Sequence, residues 1–465
     1  MRLVPRPDPI RPLDERLGLA SPGRQILAKV FPDHWTFMFG EIALYSFLVL
    51  VGTGIYLALF FEPSSAMVVY HGHYRPMNGQ EVSAAYASTV RLSWDVRGGL
   101  LLRQTHHWAA HIFIGSIVVH LCRIYLTGAF RRPRELNWTI GVTMLILAIL
   151  NAYAGYSLPD DLLSGTGLRI FEAIAESIPL VGGWLSFLAF GGEFPGDQII
   201  QRLYAAHIFL IPALLGALIA CHLAILVRQK HTHFPGAGRR ESNVVGSRAW
   251  PSYALRSLAL LFTVAAVAFL AGGLLQINPV WVWGDFEPAT VTAPSVADWY
   301  ILWIEGALRL FPPVEFSVFG HLVPNQFWPG AFLPGVIFLG LYAWPWLDRR
   351  LTRDRGDHHV AARPRESPLR VGLLVAMLVF LALLLVAGSE ELLVQWTGWD
   401  VGSVRQVLRV LVLTVPELAG LLAAWVAAAL RRSGRSAASE LGPRDLAAAL
   451  RRGSAPSDAE SEEAG

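Results

Sequence analysis

The sequence predicts an all-α, polytopic membrane protein with eight transmembrane helices. Three observations carry this. Charged residues make up only 16% of the 465 residues, against roughly a quarter in ordinary soluble domains. The mean hydropathy is +0.44. The apolar residues come in eight long blocks: 35–61, 100–127, 138–157, 202–227, 254–276, 328–347, 369–388 and 406–430. Crossing the hydrocarbon core takes about 20 apolar residues. Within it a chain must satisfy its own backbone hydrogen bonds, so each block is read as a helix.

Charge sets the orientation. With the N-terminus inside, 29 of the 38 Lys and Arg fall on the inner side. This bias places both termini on the cytoplasmic face of the plasma membrane. The pI near 8.9 therefore reports topology, and no nucleic-acid partner is expected. The first 34 residues hold six Lys/Arg and no apolar stretch of signal-peptide type, so the first block is expected to be the first anchor. Cys122 and Cys221 lie inside predicted spans and are read as small buried apolar residues.

Three outer connections are long, at 62–99, 158–201 and 277–327, and long connections tend to carry function. Segments 165–176 and 181–190 read as short amphipathic helices at the membrane surface. The run Asp348–Arg355 is a solvated basic connection. From Ser433 onward the composition is that of a flexible tail, disordered or weakly helical.

The second and fourth spans carry the chemistry. His106 and His120 are 14 residues apart, and His207 and His222 are 15 apart. At 1.5 Å per residue these are separations of about 21 and 22.5 Å. At about 100° per residue, 14 steps return to within about 40° of the starting direction and 15 steps to within about 60°. The two spans run in the same direction, because one span lies between them. Facing each other, they offer two bis-His sites stacked across the membrane. Such ligation fills both axial positions of a haem, which suits electron transfer. His107 and His111 have no counterpart on the fourth span and read as interhelical or porphyrin-edge residues.

Glycines repeat the period. Gly40 and Gly54 are 14 apart on the first span, and Gly141 and Gly155 are 14 apart on the third. A residue without Cβ lets a backbone lie against a flat porphyrin. Arg103, Arg123 and Arg202 sit near the histidines at the membrane boundaries, where haem propionates would emerge and a guanidinium fork would pair with them. The chain then divides into a cytoplasmic segment 1–34, a four-helix dihaem domain 35–230, a cytoplasmic linker 231–253, a second four-helix domain 254–430 and a tail 431–465.

These residues, with Asn151–Pro159 (NAYAGYSLP), resemble the cytochrome b family of bc complexes over about residues 30–430. The stretches Asp160–Gly167 and Lys230–Gly236 resemble its actinobacterial members. The family's outer quinol site carries a Pro-Glu-Trp-Tyr motif, and Ala297-Asp298-Trp299-Tyr300 is the similar stretch here. It departs at two positions: Ala replaces Pro, and Asp keeps the carboxylate on a shorter stem. The resemblance implies a quinol–cytochrome c reductase with two noncovalent b haems. Asp298 would accept a proton beside Tyr300, with burial raising its pKa toward the working range. The expected quinone is menaquinone. Implied partners are a Rieske iron–sulfur protein, a cytochrome c subunit, a second copy of the complex, membrane lipid and a terminal oxidase in a supercomplex. No CxxCH motif or Rieske Cys/His motif occurs in the sequence, so partners would carry those centres. Arg228, Lys230 and His231 are candidates to supply cations or protons to an inner quinone site. Two other readings stay open on the residues alone. One is a dihaem membrane anchor of a dehydrogenase or hydrogenase. The other is a transporter with intramembrane histidines.

Overall fold

The computed structural model describes residues 27–192, 194–290, 296–318 and 320–440, without the side chains of 434–440. Among the described residues, eight helices are long and apolar enough to cross a membrane. They are α1 (Trp35–Ala58), α2 (Gly99–Thr127), α3 (Glu135–Tyr156), α4 (Ile199–Gln229), α5 (Ala249–Leu274), α6 (Trp328–Thr352), α7 (Pro368–Gly388) and α8 (Val401–Ser433). Each coincides with one apolar block of the sequence. The end bearing the three long connections is called outer, after the charge asymmetry.

Helix α1 packs along α2, α4 along α3, and α5 across both α1 and α2. Small residues permit the closest approaches, as is usual between membrane helices. Gly272 of α5 lies against the backbone of Thr105, and Gly372 of α7 faces Gly420 of α8. Between the two histidine levels the first four spans are filled by Ala43, Phe113, Ile114, Leu145, Ala148 and Leu215. At the inner end, the buried Arg370 donates to both oxygens of buried Asp348, at 2.8 and 2.9 Å. This joins α6 to α7 by a bidentate pair.

The outer connections hold short helices. Leu162–Glu176 starts with a capping box, in which the Asp161 side chain accepts from Ser164 N at 3.0 Å and the Ser164 hydroxyl answers Asp161 N. Gly182–Phe190 follows it. Both fall where the sequence placed short surface helices; the first is amphipathic, whereas Gly182–Phe190 is apolar nearly all round, with Trp184, Phe187 and Leu188 exposed. The third connection contains the helix Trp299–Leu310 and a hairpin of Phe316–Val318 with His321–Val323.

Two expectations need adjustment. Cys221 is exposed and Cys122 only part-buried. The outside of a membrane helix is itself apolar territory, so a small thiol there needs no protein cover. The tail reading fell partly on 441–465, outside the described residues. Before them, α8 continues as helix to Glu440.

Candidate functional site

Helix α4 is not uniform. Residues Ala206–Leu210 form a π-helical turn around His207. A π turn bonds i to i+5 and so takes up one extra residue. This accounts for the odd spacing on α4. Fifteen residues containing one π turn keep nearly the facing that 14 give in a plain helix, and His207 turns toward α2.

His106 and His207 face each other with ring centroids 6.0 Å apart and planes at 74°. A metal midway would lie about 3 Å from each ring centre, close to what a His–metal bond of about 2 Å demands. The far nitrogens are committed. His207 Nδ1 donates to Asn151 O at 2.9 Å, and His106 Nδ1 donates to Thr53 Oγ1 at 2.9 Å. The Thr53 hydroxyl in turn donates to Val49 O at 2.7 Å. Bonds of this kind fix the tautomer and leave each Nε2 lone pair free for a ligand bond. At the inner level, part-buried His120 has a buried Nδ1 without a hydrogen-bond partner.

The glycines meet the imidazoles. A Cβ on Gly54 would stand 3.2 Å from the His106 ring, and one on Gly40 3.2 Å from the His120 ring. A Cβ on Gly155 would lie 2.9 Å from both nitrogens of His207, while Gly141 faces open space. Their first effect is therefore to let the axial rings approach neighbouring helices. The arginines differ among themselves. Arg103 donates twice to Asn278 O at 3.3 Å, and its buried Nε has no partner. Arg123 has buried Nε and Nη2 without partners and lies 4.1 Å over the Phe37 ring. A buried and a part-buried cation with unused donors suit carboxylates of a bound group. Arg202 is placed otherwise: it is part-buried and donates to Phe187 O, Leu188 O and Gln198 Oε1. It closes the C-terminal end of the helix Gly182–Phe190, sharing Phe187 O with the N–H of Gly191.

One residue from His106 lies a second cluster. His107 Nε2 donates to Asp298 Oδ2 at 2.8 Å. The Tyr300 hydroxyl donates to the same oxygen at 2.7 Å. His111 Nε2 stands 3.7 Å from Oδ1. The two imidazoles stack at 5.0 Å, as residues four apart on one helix face do. Asp298 is the N-cap residue of Trp299–Leu310, yet it makes no side-chain cap bond. Its carboxylate is diverted to the histidines.

Of the two roles the sequence left open for His107 and His111, the contact is the interhelical one, from α2 to the start of the helix Trp299–Leu310. Their spacing of four was visible, but the partner lies 191 residues away for His107. Asp298 also departs from its expected pKa. Burial pushes its carboxyl up. His107, His111 and the Tyr300 hydroxyl outweigh burial and hold it below the usual carboxylate range. Near the inner end, burial beside Lys29, Arg134 and Arg123 pushes the His231 imidazole down to about 4. His231 is therefore neutral at physiological pH and does not serve as a cation there.

Known proteins resemble this chain over most of its length. A family profile described as "Cytochrome b(N-terminal)/b6/petB" matches residues 111–285. Three relatives share the name "Cytochrome bc1 complex cytochrome b subunit". The one from Corynebacterium efficiens is 44% identical over 423 residues, 91% of this chain and 78% of the relative. That from Mycobacterium tuberculosis is 49% identical over 382 residues, 82% of this chain and 69% of the relative. That from Streptomyces coelicolor is 41% identical, covering 90% and 77%. A solved structure titled "Hyperthermophilic respiratory Complex III" shares the fold with a TM-score of 0.64 at 20% identity, covering 90% of this chain and 99% of its own. The chain belongs to the cytochrome b subunits of cytochrome bc1 complexes, integral membrane proteins that hold b-type haem and carry electrons within the membrane.

Proposed function

We propose that the chain holds two noncovalent b haems, one between His106 and His207 and one between His120 and His222. It acts as the transmembrane electron-transfer subunit of a quinol–cytochrome c oxidoreductase in the plasma membrane, with both termini cytoplasmic. Quinol, expected to be menaquinol, is oxidised at the outer side. Quinone is reduced at the inner side, and the two half-reactions together translocate protons. Partners are a Rieske protein, a cytochrome c subunit, a second complex in a homodimer, membrane lipid and a terminal oxidase in a supercomplex.

When bound, the haems supply one-electron transfer across the membrane. The chain's residues do the rest. Gly40, Gly54, Gly141 and Gly155 give the axial rings and porphyrins room. Arg103 and Arg123 offer unused donors to propionates, while Arg202 acts only through the carbonyls that it closes. Asp298 accepts a quinol proton while the His107 and Tyr300 bonds keep the carboxylate aimed.

The observation that carries this reading is the Asp298–His107–Tyr300 cluster, buried one residue from the outer axial pair. A proton acceptor there stands beside the outer electron acceptor, which is what oxidising a hydroquinone requires. The test is the purified complex. It is expected to show a b-type α-band and a quinol–cytochrome c activity that inhibitors of the outer and inner quinone sites each abolish. A complex with the α-band but no such activity would favour a dehydrogenase anchor. A protein without the band would favour a transporter.

Arg103→Leu tests the propionate assignment. Loss of a charged hydrogen bond from a part-buried carboxylate costs about 1.5–3 kcal/mol. Weaker retention of the outer haem or a shifted potential is expected from spectra and redox titration. Unchanged content and potential would leave Arg103 as a fastener of the Asn278 loop.

A further inference from the structure

A third polar cluster lies at the inner end, away from both histidine levels and from Asp298. Glu41 of α1 points at α5. The Tyr253 hydroxyl donates to its Oε1 at 2.5 Å, and the Ser257 hydroxyl to its Oε2 at 2.5 Å. Tyr45 approaches Oε2 at 3.5 Å and also contacts the Ser257 hydroxyl. Among the described residues, no Lys, Arg or His forms an ion pair with Glu41. The nearby Arg256 is taken by Asp33 at 3.0 Å. A carboxyl inside a membrane end, held only by hydroxyls, is costly and is usually kept for function.

Its place in the fold says which function. Glu41 follows Gly40, the residue against the His120 ring. On its other side Tyr253 stacks on Phe31 at 4.2 Å, and Phe31 meets His231 edge-on at 4.9 Å. Phe37 lies beside His231 and under Arg123. Packed aromatic rings, a neutral imidazole and a carboxyl therefore form one cluster at the inner end, beside the histidine of the inner level. Hydroxyls can both donate and accept, so Tyr253 and Ser257 can pass a proton along their bonds.

We propose that Glu41, with Tyr253 and Ser257, is the proton-delivery group of the inner quinone site. The inference rests on the quinol-cycle reading above. Reducing one quinone takes two electrons, delivered singly from the b haem of His120 and His222, and two protons from the inner side. Glu41 supplies one of these protons. The Tyr253 O–H breaks as an O–H forms on a quinone carbonyl, and a proton taken up by Glu41 from the inner side restores the Tyr253 hydroxyl. The carboxylate is then reprotonated from water at the rim, where Asp33 accepts from the Ser247 hydroxyl at 2.7 Å. The second proton comes directly from that water.

The experiment uses the intact purified complex carrying Glu41→Gln, which keeps the shape but cannot release a proton in this way. Quinol-driven haem reduction, with the inner site blocked by an inhibitor, is expected to match wild type. Reoxidation of the inner haem by added quinone is expected to slow about 10-fold or more, the low side of a typical acid–base contribution. Reduced-minus-oxidised infrared spectra are expected to lose a carboxylic C=O band. Glu41→Asp is expected to restore part of the rate, and Tyr253→Phe to slow it with haem content unchanged. Normal reoxidation in Glu41→Gln, or persistence of every carboxylic band, overturns the proposal. So does haem loss in both Glu41→Gln and Tyr253→Phe, which would make the cluster a staple between α1 and α5. Absence of quinol–cytochrome c activity in wild type would instead defeat the underlying reading.

Discussion

His207→Ala is expected to abolish the outer haem site and leave the inner one in place. The two axial rings of the outer site come from different helices, so removing one leaves His106 without an opposing ligand across a 6.0 Å gap. An iron with a single imidazole loses the bis-His spectrum and much of its hold on the protein. His207 is the better ring to remove, because His106 adjoins His107 and would disturb the Asp298 cluster as well. The inner pair lies about 21 Å away along the helix. Between the levels stand Phe113, Ile114, Leu145 and Leu215, which the substitution leaves untouched. The b-type absorbance is expected to fall by about half, with one component left in a redox titration. Two full components with bis-His spectra would sink the assignment. Transmembrane electron flow and turnover are expected to vanish with the outer haem.

Asp298→Asn is expected to slow quinol–cytochrome c turnover by about ten-fold or more, while both haems remain. Asn is nearly the same shape, and its oxygen can still accept from Tyr300. It cannot take up a proton, and it no longer offers a charge to His107 and His111. The direction of the Asp298 pKa refines this. Held below the usual range, the carboxylate is ionised throughout pH 6–8, so the mutant deficit should stay nearly constant across that window. The same depression bears on stability. It favours the folded state above the unfolded Asp pKa of about 3.9 and is lost as pH falls through the lower folded value. Wild type and mutant should therefore converge in strong acid. Normal turnover at every pH would reduce Asp298 to a structural residue. Loss of haem would give it a structural role and leave the proton route unassigned.

The spans were legible because lipid imposes a length and a composition on each of them. The four proposed haem histidines stood out because costly residues recurred at matched depths. Of the glycines that share the period, Gly40, Gly54 and Gly155 lie against imidazoles and Gly141 faces open space. Other features depend on contacts distant in sequence. The His107 bond to Asp298 joins α2 to a loop that no local pattern connects to it. The depressed Asp298 pKa follows from that bond, so a reading from burial alone took the opposite direction. Arg202 looked like Arg103 in sequence, and only the packed end of Gly182–Phe190 distinguishes them. Glu41 attracted no notice, since one acid in an apolar block is unremarkable until Tyr253 and Ser257 arrive from 212 and 216 residues away.

The π turn at Ala206–Leu210 also bears on how this helix can change length. A one-residue insertion or deletion in a plain helix rotates everything beyond it by about 100°. In α2 that would carry His106 or His120 off its face. In α4 the surplus residue is confined to one turn, so removing a single residue from it would relax π into α geometry and preserve the facing of His207 and His222. The fourth helix can therefore move between 15- and 14-residue spacings through viable intermediates. The second helix has no such reserve and is locked at 14. Length variation among homologous chains should accordingly gather at this turn and be absent between His106 and His120.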